Sequence, residues 1–162
     1  MGAKEDLLKG KKILIVDDEP DVLDTLEELL SMCQVVKATS FEEAKQCLKK
    51  QSFDMAILDI MGVNGYDLLD IAVAKKVTAV MLTAHALSPE DMMKSFKCGA
   101  AYYVPKDKIS DIVSFLTKIL EAKKKGKSTW IPFMGWAEAY YNAKFGPKWE
   151  ACDKDFWEKL KK

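Results

Sequence analysis

Histidine and closely spaced cysteine pairs are scarce in this chain. One histidine and four scattered cysteines, with no C-x-x-C spacing, do not supply the ligand cluster of a zinc site. Scattered cysteines also favour reduced thiols over a disulfide framework, which is the usual state in the cytosol. The sequence therefore predicts a cytoplasmic protein whose chemistry depends on neither zinc nor disulfides.

Net charge and long apolar runs are also lacking. The 25 basic and 25 acidic residues balance, whereas nucleic-acid-binding proteins usually carry a basic stripe. No apolar run reaches the roughly 20 residues of a membrane helix, and the amino terminus lacks the apolar stretch of a signal peptide. We therefore expect no nucleic-acid partner and no membrane segment. A length of 162 residues suits one ordinary domain with an appendage.

Short apolar runs alternate with amphipathic stretches along most of the chain. Five such pairs predict an α/β fold, in which helices cover both faces of a parallel sheet. We expect a three-layer flavodoxin-like (βα)5 sandwich with strand order 2-1-3-4-5 and a short helical C-terminal extension. The predicted strands are 13–16, 34–38, 53–59, 77–82 and 100–104, and the predicted helices are 21–33, 41–50, 66–76, 88–99 and 109–123.

The first predicted strand leads into three acids and a proline, in the segment Ile-Leu-Ile-Val-Asp-Asp-Glu-Pro at 13–20. Adjacent carboxylates repel each other, so the pair Asp17 and Asp18 favours a hard cation between the two side chains. A solvated acidic turn is the alternative for this segment taken alone.

Reactive side chains follow four of the predicted strands. They are Asp17 with Asp18, Asp59, Thr83 and Lys106. The carboxyl ends of parallel strands lie along one edge of a sheet, where ligands bind, so we expect these side chains to lie together at that edge. Carboxylates without a histidine cluster favour magnesium over zinc. Asp59 stands alone after the central strand and is the better nucleophile toward phosphorus, which leaves Asp17 and Asp18 as metal holders. Lys106 supplies positive charge and Thr83 a hydrogen bond to the phosphoryl oxygens.

These motifs resemble the response-regulator receiver domain of two-component signalling. The resemblance is carried by the segment 13–20, by Leu-Asp59, by Leu-Thr-Ala at 82–84 and by Lys106, with Tyr103 at the aromatic switch position. It implies a phospho-acceptor switch rather than an enzyme, phosphorylated on aspartate by a sensor histidine kinase or phosphotransfer protein. We expect the receiver domain to span residues 11–124.

The resemblance also implies the ligands of a Mg²⁺ cofactor. Asp18, Asp59 and the backbone carbonyl of Met61 would contact the ion directly, and Asp17 would assist through water. The implied consequence of phosphorylation is a conformational switch.

In that switch, Thr83 moves toward the phosphoryl group and Tyr103 turns inward behind it. The movement would remodel the face formed by the fourth helix, the fifth strand and the fifth helix, and so act on a downstream protein that the sequence does not name.

The loop after Asp59 departs from the family pattern. It lacks the usual proline and is two residues short, and the stretch from Gly65 to Thr83 is also short. We therefore expect a shortened third helix and an altered position of the Met61 carbonyl.

Several functional alternatives stay open. His85 is a candidate modulator of the aspartyl-phosphate lifetime, or else an ordinary loop histidine. A magnesium-dependent phosphohydrolase would use Asp59 as nucleophile, but Met61 stands where that chemistry wants a second aspartate. A receiver-like binding module that is never phosphorylated would keep the same acids.

The composition changes after the lysine-rich segment 123–127. All four tryptophans lie beyond it, which predicts a linker and an aromatic helical extension over 125–162, with no recognised output domain. One helix is expected over 136–144 and another from Gly146 onward. The aromatic side chains either pack back onto the receiver or form a homodimer contact or a docking element for a partner.

Overall fold

The computed structural model describes residues 7–84 and 89–145 of the chain. Within them, strands and helices alternate as the sequence pattern predicts. The strands are β1 Lys12–Val16, β2 Gln34–Ala38, β3 Met55–Asp59, β4 Thr78–Thr83 and β5 Tyr102–Pro105. The helices are α1 Pro20–Leu29, α2 Phe41–Lys50, α3 Gly65–Ala74, α4 Pro89–Lys97, α5 Ile112–Lys124 and α6 Trp130–Phe145.

The five strands of the described residues form one parallel sheet in the order β2-β1-β3-β4-β5. This order confirms the predicted flavodoxin-like fold. β3 is the central strand, and all its residues are buried. Central strands of a parallel sheet are covered on both faces, which is why they are continuous apolar runs in the sequence. Because the strands are parallel, their carboxyl ends lie along one edge of the sheet.

The first two helices begin as their sequences predict. Pro20 lies in the first turn of α1, where the missing N–H removes no intrahelical bond. At the start of α2, Oγ of Ser40 accepts a hydrogen bond from the backbone amide of Glu43, at 3.2 Å. The buried side chains of these two helices recur at helical spacing and are Leu23, Leu26, Ala44 and Leu48.

Several helix bounds differ from the expected ones, and α1 ends at Leu29 rather than Cys33. α3 has 10 residues, as α1 and α2 do, and it begins at Gly65 rather than Tyr66 and ends at Ala74 rather than Lys76. In the loop before α3, Asn64 adopts a left-handed backbone with φ of 53°. After β5 the chain forms a 3-10 turn, Lys106–Asp111, so α5 begins at Ile112 rather than Ile109.

The C-terminal extension contains α6, which begins at Trp130 rather than at the predicted Trp136. Pro132 lies in its first turn, where proline is tolerated. Trp130, Phe133 and Ala137 are buried. The described part of the extension therefore packs back onto the domain, as one of the two alternatives predicts.

Three predicted features lie outside the described residues. They are the helix from Gly146 onward, the helix start at Ser88 and the loop position of His85. Among the helices that the structure describes, none has the length and apolar character needed to cross a membrane.

Candidate functional site

Polar side chains from four strand ends lie at one edge of the sheet. Asp17 follows β1, Asp59 ends β3, Thr83 ends β4 and Lys106 follows β5. Asp17, Asp59 and Thr83 are buried. Parallel strands that are distant in sequence place their carboxyl ends together, and this brings the four side chains to one region.

Lys106 is the cation of this region. Its Nζ lies 2.9 Å from Oδ2 of Asp17 and donates a hydrogen bond of 2.9 Å to Oε1 of Glu19. The same Nζ lies 3.7 Å from Oδ1 of Asp59. One ammonium group therefore faces acids from two different strand ends and offsets the repulsion between them.

The acids that follow β1 have different environments. Asp17 has no exposed surface, and its Oδ1 accepts a hydrogen bond of 2.9 Å from the backbone amide of Glu19. Asp18 is exposed. One carboxylate oxygen from each of Asp17, Asp18 and Glu19 lies within 4.8 Å of the others, so the three could hold a metal ion. Asp18 is accessible to an ion from solvent, whereas the carboxylate of Asp17 already contacts the Glu19 amide and the Lys106 ammonium.

Gly62 lies between the carboxylates of Asp18 and Asp59. Its backbone amide donates a hydrogen bond of 3.1 Å to Oδ2 of Asp59. A Cβ atom at position 62 would lie 2.4 Å from that oxygen and 2.4 Å from Oδ1 of Asp18. The two oxygens therefore converge on a space that only glycine leaves open. Carboxylate oxygens that converge in this way suit a hard divalent cation.

Burial alters the acidity of the site. Loss of solvent, followed by the charge of Asp17, raises the pKa of Asp59 to about 6 against the opposing charge of Lys106. Burial likewise raises the pKa of Asp17, although its ion pair with Lys106 opposes this. Burial alone would lower the pKa of Lys106, but its hydrogen bond to Glu19 and its ion pair with Asp17 raise it overall. Asp59 is therefore ionised at neutral pH and holds its proton in mild acid.

Thr83 and Tyr103 lie on the neighbouring strands β4 and β5, and both are buried. The Tyr103 side chain packs edge-on against Phe133 of α6, with the ring centroids 6.4 Å apart. In this structure Tyr103 is therefore buried beneath α6.

The loop after β3 exposes Met61, of which 78% is accessible to solvent. The Met61 side chain is therefore not part of the acid cluster, and only its backbone carbonyl remains a candidate ligand. His85, the candidate modulator, lies outside the described residues.

Two further residues of the site were not singled out from the sequence. Glu19 is the third acid of the run after β1, and its pairing with Lys106 depends on how distant segments meet. In the sequence, Gly62 only marks an interruption of regular secondary structure after the third strand. Its approach to two carboxylates is visible only in the structure.

Comparison with known proteins identifies the family to which most of the chain is similar. The family model described as the response regulator receiver domain matches residues 13–117. The two-component response regulator ARR18 of Arabidopsis thaliana is 35% identical over an alignment of 103 residues, and the match covers 60% of this chain and 16% of that protein. The probable transcriptional regulator ycf27 of Guillardia theta is 37% identical over an alignment of 123 residues, and the match covers 73% of this chain and 45% of that protein. The chain spans less than half the length of these curated relatives.

Solved structures agree with the family model. A CheY-like response regulator receiver domain protein from Methanospirillum hungatei gives a TM-score of 0.65 at 26% identity, covering 73% of this chain and 99% of that chain. A putative response regulator from Chloroflexus aurantiacus gives a TM-score of 0.62 at 31% identity, covering 70% of this chain and 99% of that chain. This chain belongs to the response regulator receiver domain family.

Proposed function

We propose that this chain is a two-component receiver that accepts a phosphoryl group on Asp59 from a sensor histidine kinase or a phosphotransfer protein. The observation that carries the proposal is the buried Asp59 carboxylate, which lies 3.7 Å from the Lys106 ammonium and accepts the Gly62 amide hydrogen bond. A nucleophilic acid with a cation and a backbone donor beside it can attack phosphorus while the developing charge is stabilised.

Asp59 is better suited to the attack than the acids after β1. Both oxygens of Asp17 are engaged, one by the Glu19 amide and the other by Lys106. Asp18 is exposed, so its carboxylate is better solvated and less reactive. With a pKa of about 6, Asp59 is ionised at neutral pH yet poorly solvated, which favours nucleophilic attack.

The proposed step transfers one phosphoryl group to the protein. A carboxylate oxygen of Asp59 bonds to phosphorus as the P–N bond to the donor histidine breaks, and the electron pair of that bond remains on the imidazole nitrogen. The product is an acyl phosphate. Lys106 pairs with the phosphoryl oxygens, and the hydroxyl of Thr83 donates a hydrogen bond to one of them.

The acids also fit a magnesium ion. Oδ1 of Asp18 and Oδ2 of Asp59 converge beside Gly62, and carboxylate oxygens are the donors that Mg²⁺ prefers. We assign the direct ligands to Asp18, Asp59 and the Met61 carbonyl, with Asp17 assisting through water. When bound, Mg²⁺ would neutralise charge on the transferring phosphoryl group.

The proposed output is a change of protein contacts rather than turnover of a small molecule. Thr83 would move toward the phosphoryl group, and its movement would be coupled to Tyr103 on the next strand. The face of α4, β5 and α5 would change with it and act on a downstream protein.

Intact-mass spectrometry of the full chain with acetyl phosphate and Mg²⁺ tests the proposal. We expect a transient gain of one phosphoryl group, which Asp59→Asn abolishes and removal of Mg²⁺ suppresses. Steady release of phosphate from phosphate esters would favour a phosphohydrolase instead. Magnesium binding without any adduct would favour a binding module that is not phosphorylated.

A further inference from the structure

Helix α6 lies against the two helices that flank β5. The Trp130 ring packs edge-on against Phe96 of α4, with centroids 5.1 Å apart, and its Nε1 donates a hydrogen bond of 2.7 Å to the carbonyl of Ala100. The Trp136 ring stacks on Phe115 of α5, with centroids 5.4 Å apart. α6 therefore covers the surface that α4 and α5 form on either side of β5.

The centre of the same contact is on β5 itself. Phe133 has no exposed surface and packs edge-on against both Tyr102 and Tyr103, with centroids 5.4 Å and 6.4 Å away. Nε1 of Trp136 donates a hydrogen bond of 2.8 Å to the hydroxyl of Tyr102. One of the two tyrosines under α6 is therefore Tyr103, the residue at the aromatic switch position.

The far end of α6 reaches the edge of the acid site. The hydroxyl of Tyr140 donates hydrogen bonds to the Asp107 carboxylate, at 3.0 Å and 3.1 Å. Asp107 directly follows Lys106, whose ammonium pairs with Asp17 and lies 3.7 Å from Asp59. One peptide unit therefore joins the cation of the acid site to a hydrogen-bond partner of α6.

We propose that α6 is a built-in cover of the surface formed by α4, β5 and α5, and that phosphorylation of Asp59 releases it. This inference rests on the proposed function. The contacts of α6 belong to the arrangement in which Lys106 pairs with Asp17 and Glu19. A modification shifts such an equilibrium only if it changes contacts that differ between the two states.

Two contacts of α6 change when the site is phosphorylated. Lys106 turns from Glu19 to the phosphoryl oxygens, and the attached Asp107 moves away from Tyr140. Tyr103 moves with its neighbouring strand and loses its packing against Phe133. Both changes weaken the docked form of α6, and the aromatic surface beneath it becomes available to a partner.

Hydrogen exchange of the full chain, followed by mass spectrometry, tests this release. Beryllium fluoride with Mg²⁺ serves as a stable stand-in for the acyl phosphate, and a parallel sample with acetyl phosphate reports phosphoryl uptake. We expect exchange of the amides of 130–145 to rise about tenfold, within the range usual for coupled sites, while β3 stays protected. Asp59→Asn should abolish the rise.

Two matched variants test the route of the coupling. Tyr140→Phe removes the hydroxyl contacts with Asp107, and Trp136→Phe removes the hydrogen bond to Tyr102. Both variants keep an aromatic ring, but of the two residues only Tyr140 contacts the neighbour of Lys106. Tyr140→Phe should raise exchange of α6 before addition of beryllium fluoride and reduce the further rise. Trp136→Phe should raise exchange in both states and leave their ratio unchanged.

The outcomes separate this inference from the proposed function. If the chain takes up the phosphoryl group but hydrogen exchange of residues 130–145 does not rise, the proposed release of α6 is wrong and the proposed phosphorylation is supported. Absence of phosphoryl uptake by the unmodified chain would overturn both. Equal effects of the two variants on the ratio would overturn the route through Asp107.

Discussion

Nζ of Lys106 lies 2.9 Å from Oδ2 of Asp17, a carboxylate without exposed surface, although β3 and β4 separate their strands in the sheet. The long lysine side chain carries its charge across the carboxyl edge and past Asp59. This ion pair offsets negative charge in the site before phosphorylation. It also holds the ammonium group of Lys106 close to the carboxylate that would receive the phosphoryl group.

Replacement of Lys106 tests that balance. Lys106→Met leaves Asp17 buried without its cation, and we expect the free energy of unfolding at neutral pH to fall by about 2 kcal/mol. Phosphoryl uptake from acetyl phosphate should fall as well. Urea denaturation and intact mass measure the two effects. Glu19→Gln is the control, because Glu19 is exposed and its loss should change stability little. A Lys106→Met protein as stable as the unmodified chain would contradict the account.

The raised pKa of Asp59 predicts a pH-dependent effect of removing its charge. The folded protein keeps this proton up to about pH 6, whereas an ordinary aspartate releases it near 3.8. Ionised Asp59 therefore destabilises the fold above about pH 6, and Asp59→Asn should raise the free energy of unfolding by about 1 to 2 kcal/mol at neutral pH.

That gain should shrink as the pH falls from about 6 toward 4, because the native protein then carries a neutral Asp59. Urea denaturation at several pH values measures it. The same substitution at the exposed Asp70 of α3 should not reproduce the gain. A gain from Asp59→Asn that stayed constant over this pH interval would refute the role of burial.

Gly62→Ala tests the space between the two metal-facing carboxylates. The added Cβ would lie 2.4 Å from Oδ1 of Asp18 and 2.4 Å from Oδ2 of Asp59, so one of them must move. We expect the affinity for Mg²⁺ to fall at least about tenfold, together with phosphoryl uptake, because Mg²⁺ demands near-ideal ligand geometry. Isothermal titration calorimetry measures the first effect.

Met61→Ala is the matched control in the same loop. The Met61 side chain is 78% exposed, and its backbone carbonyl remains in the variant. Magnesium affinity should therefore be retained. Normal magnesium binding by Gly62→Ala would show that the ion does not use the space beside residue 62.

The packing of α6 predicts a large effect of truncating Phe133. Phe133 is fully buried between α6 and β5, so Phe133→Ala should lower the free energy of unfolding by about 3 kcal/mol. Chemical denaturation measures the loss, and Ala143→Ser, on an exposed position of α6, is the control. A loss no greater than that of the control would mean that α6 is not docked in solution.

The arrangement of the sheet was predictable from the sequence for a clear physical reason. Buried parallel strands such as Met55–Asp59 are continuous apolar runs, and each is followed by an acid, a hydroxyl or a lysine at the same edge. Helix starts with a local signal, such as Ser40 before α2, were predictable in the same way.

The features that the sequence did not predict depend on tertiary contacts. Pro132 is in the first turn of α6, where it does not prevent a helix, and packing of Trp130 extends that helix beyond its predicted start. The pairing of Glu19 with Lys106 and of Tyr140 with Asp107 joins segments far apart in the chain, and no local pattern encodes it.

The most direct test of the central claim is to locate the phosphoryl group on the chain. Brief incubation with acetyl phosphate and Mg²⁺, then reduction with borohydride, converts an aspartyl phosphate to homoserine, which peptide mass spectrometry can assign to a position. Phosphorylation of Asp59 predicts homoserine at position 59. Homoserine at position 17 or 18 instead, or none in a sample that has taken up phosphate, would contradict it.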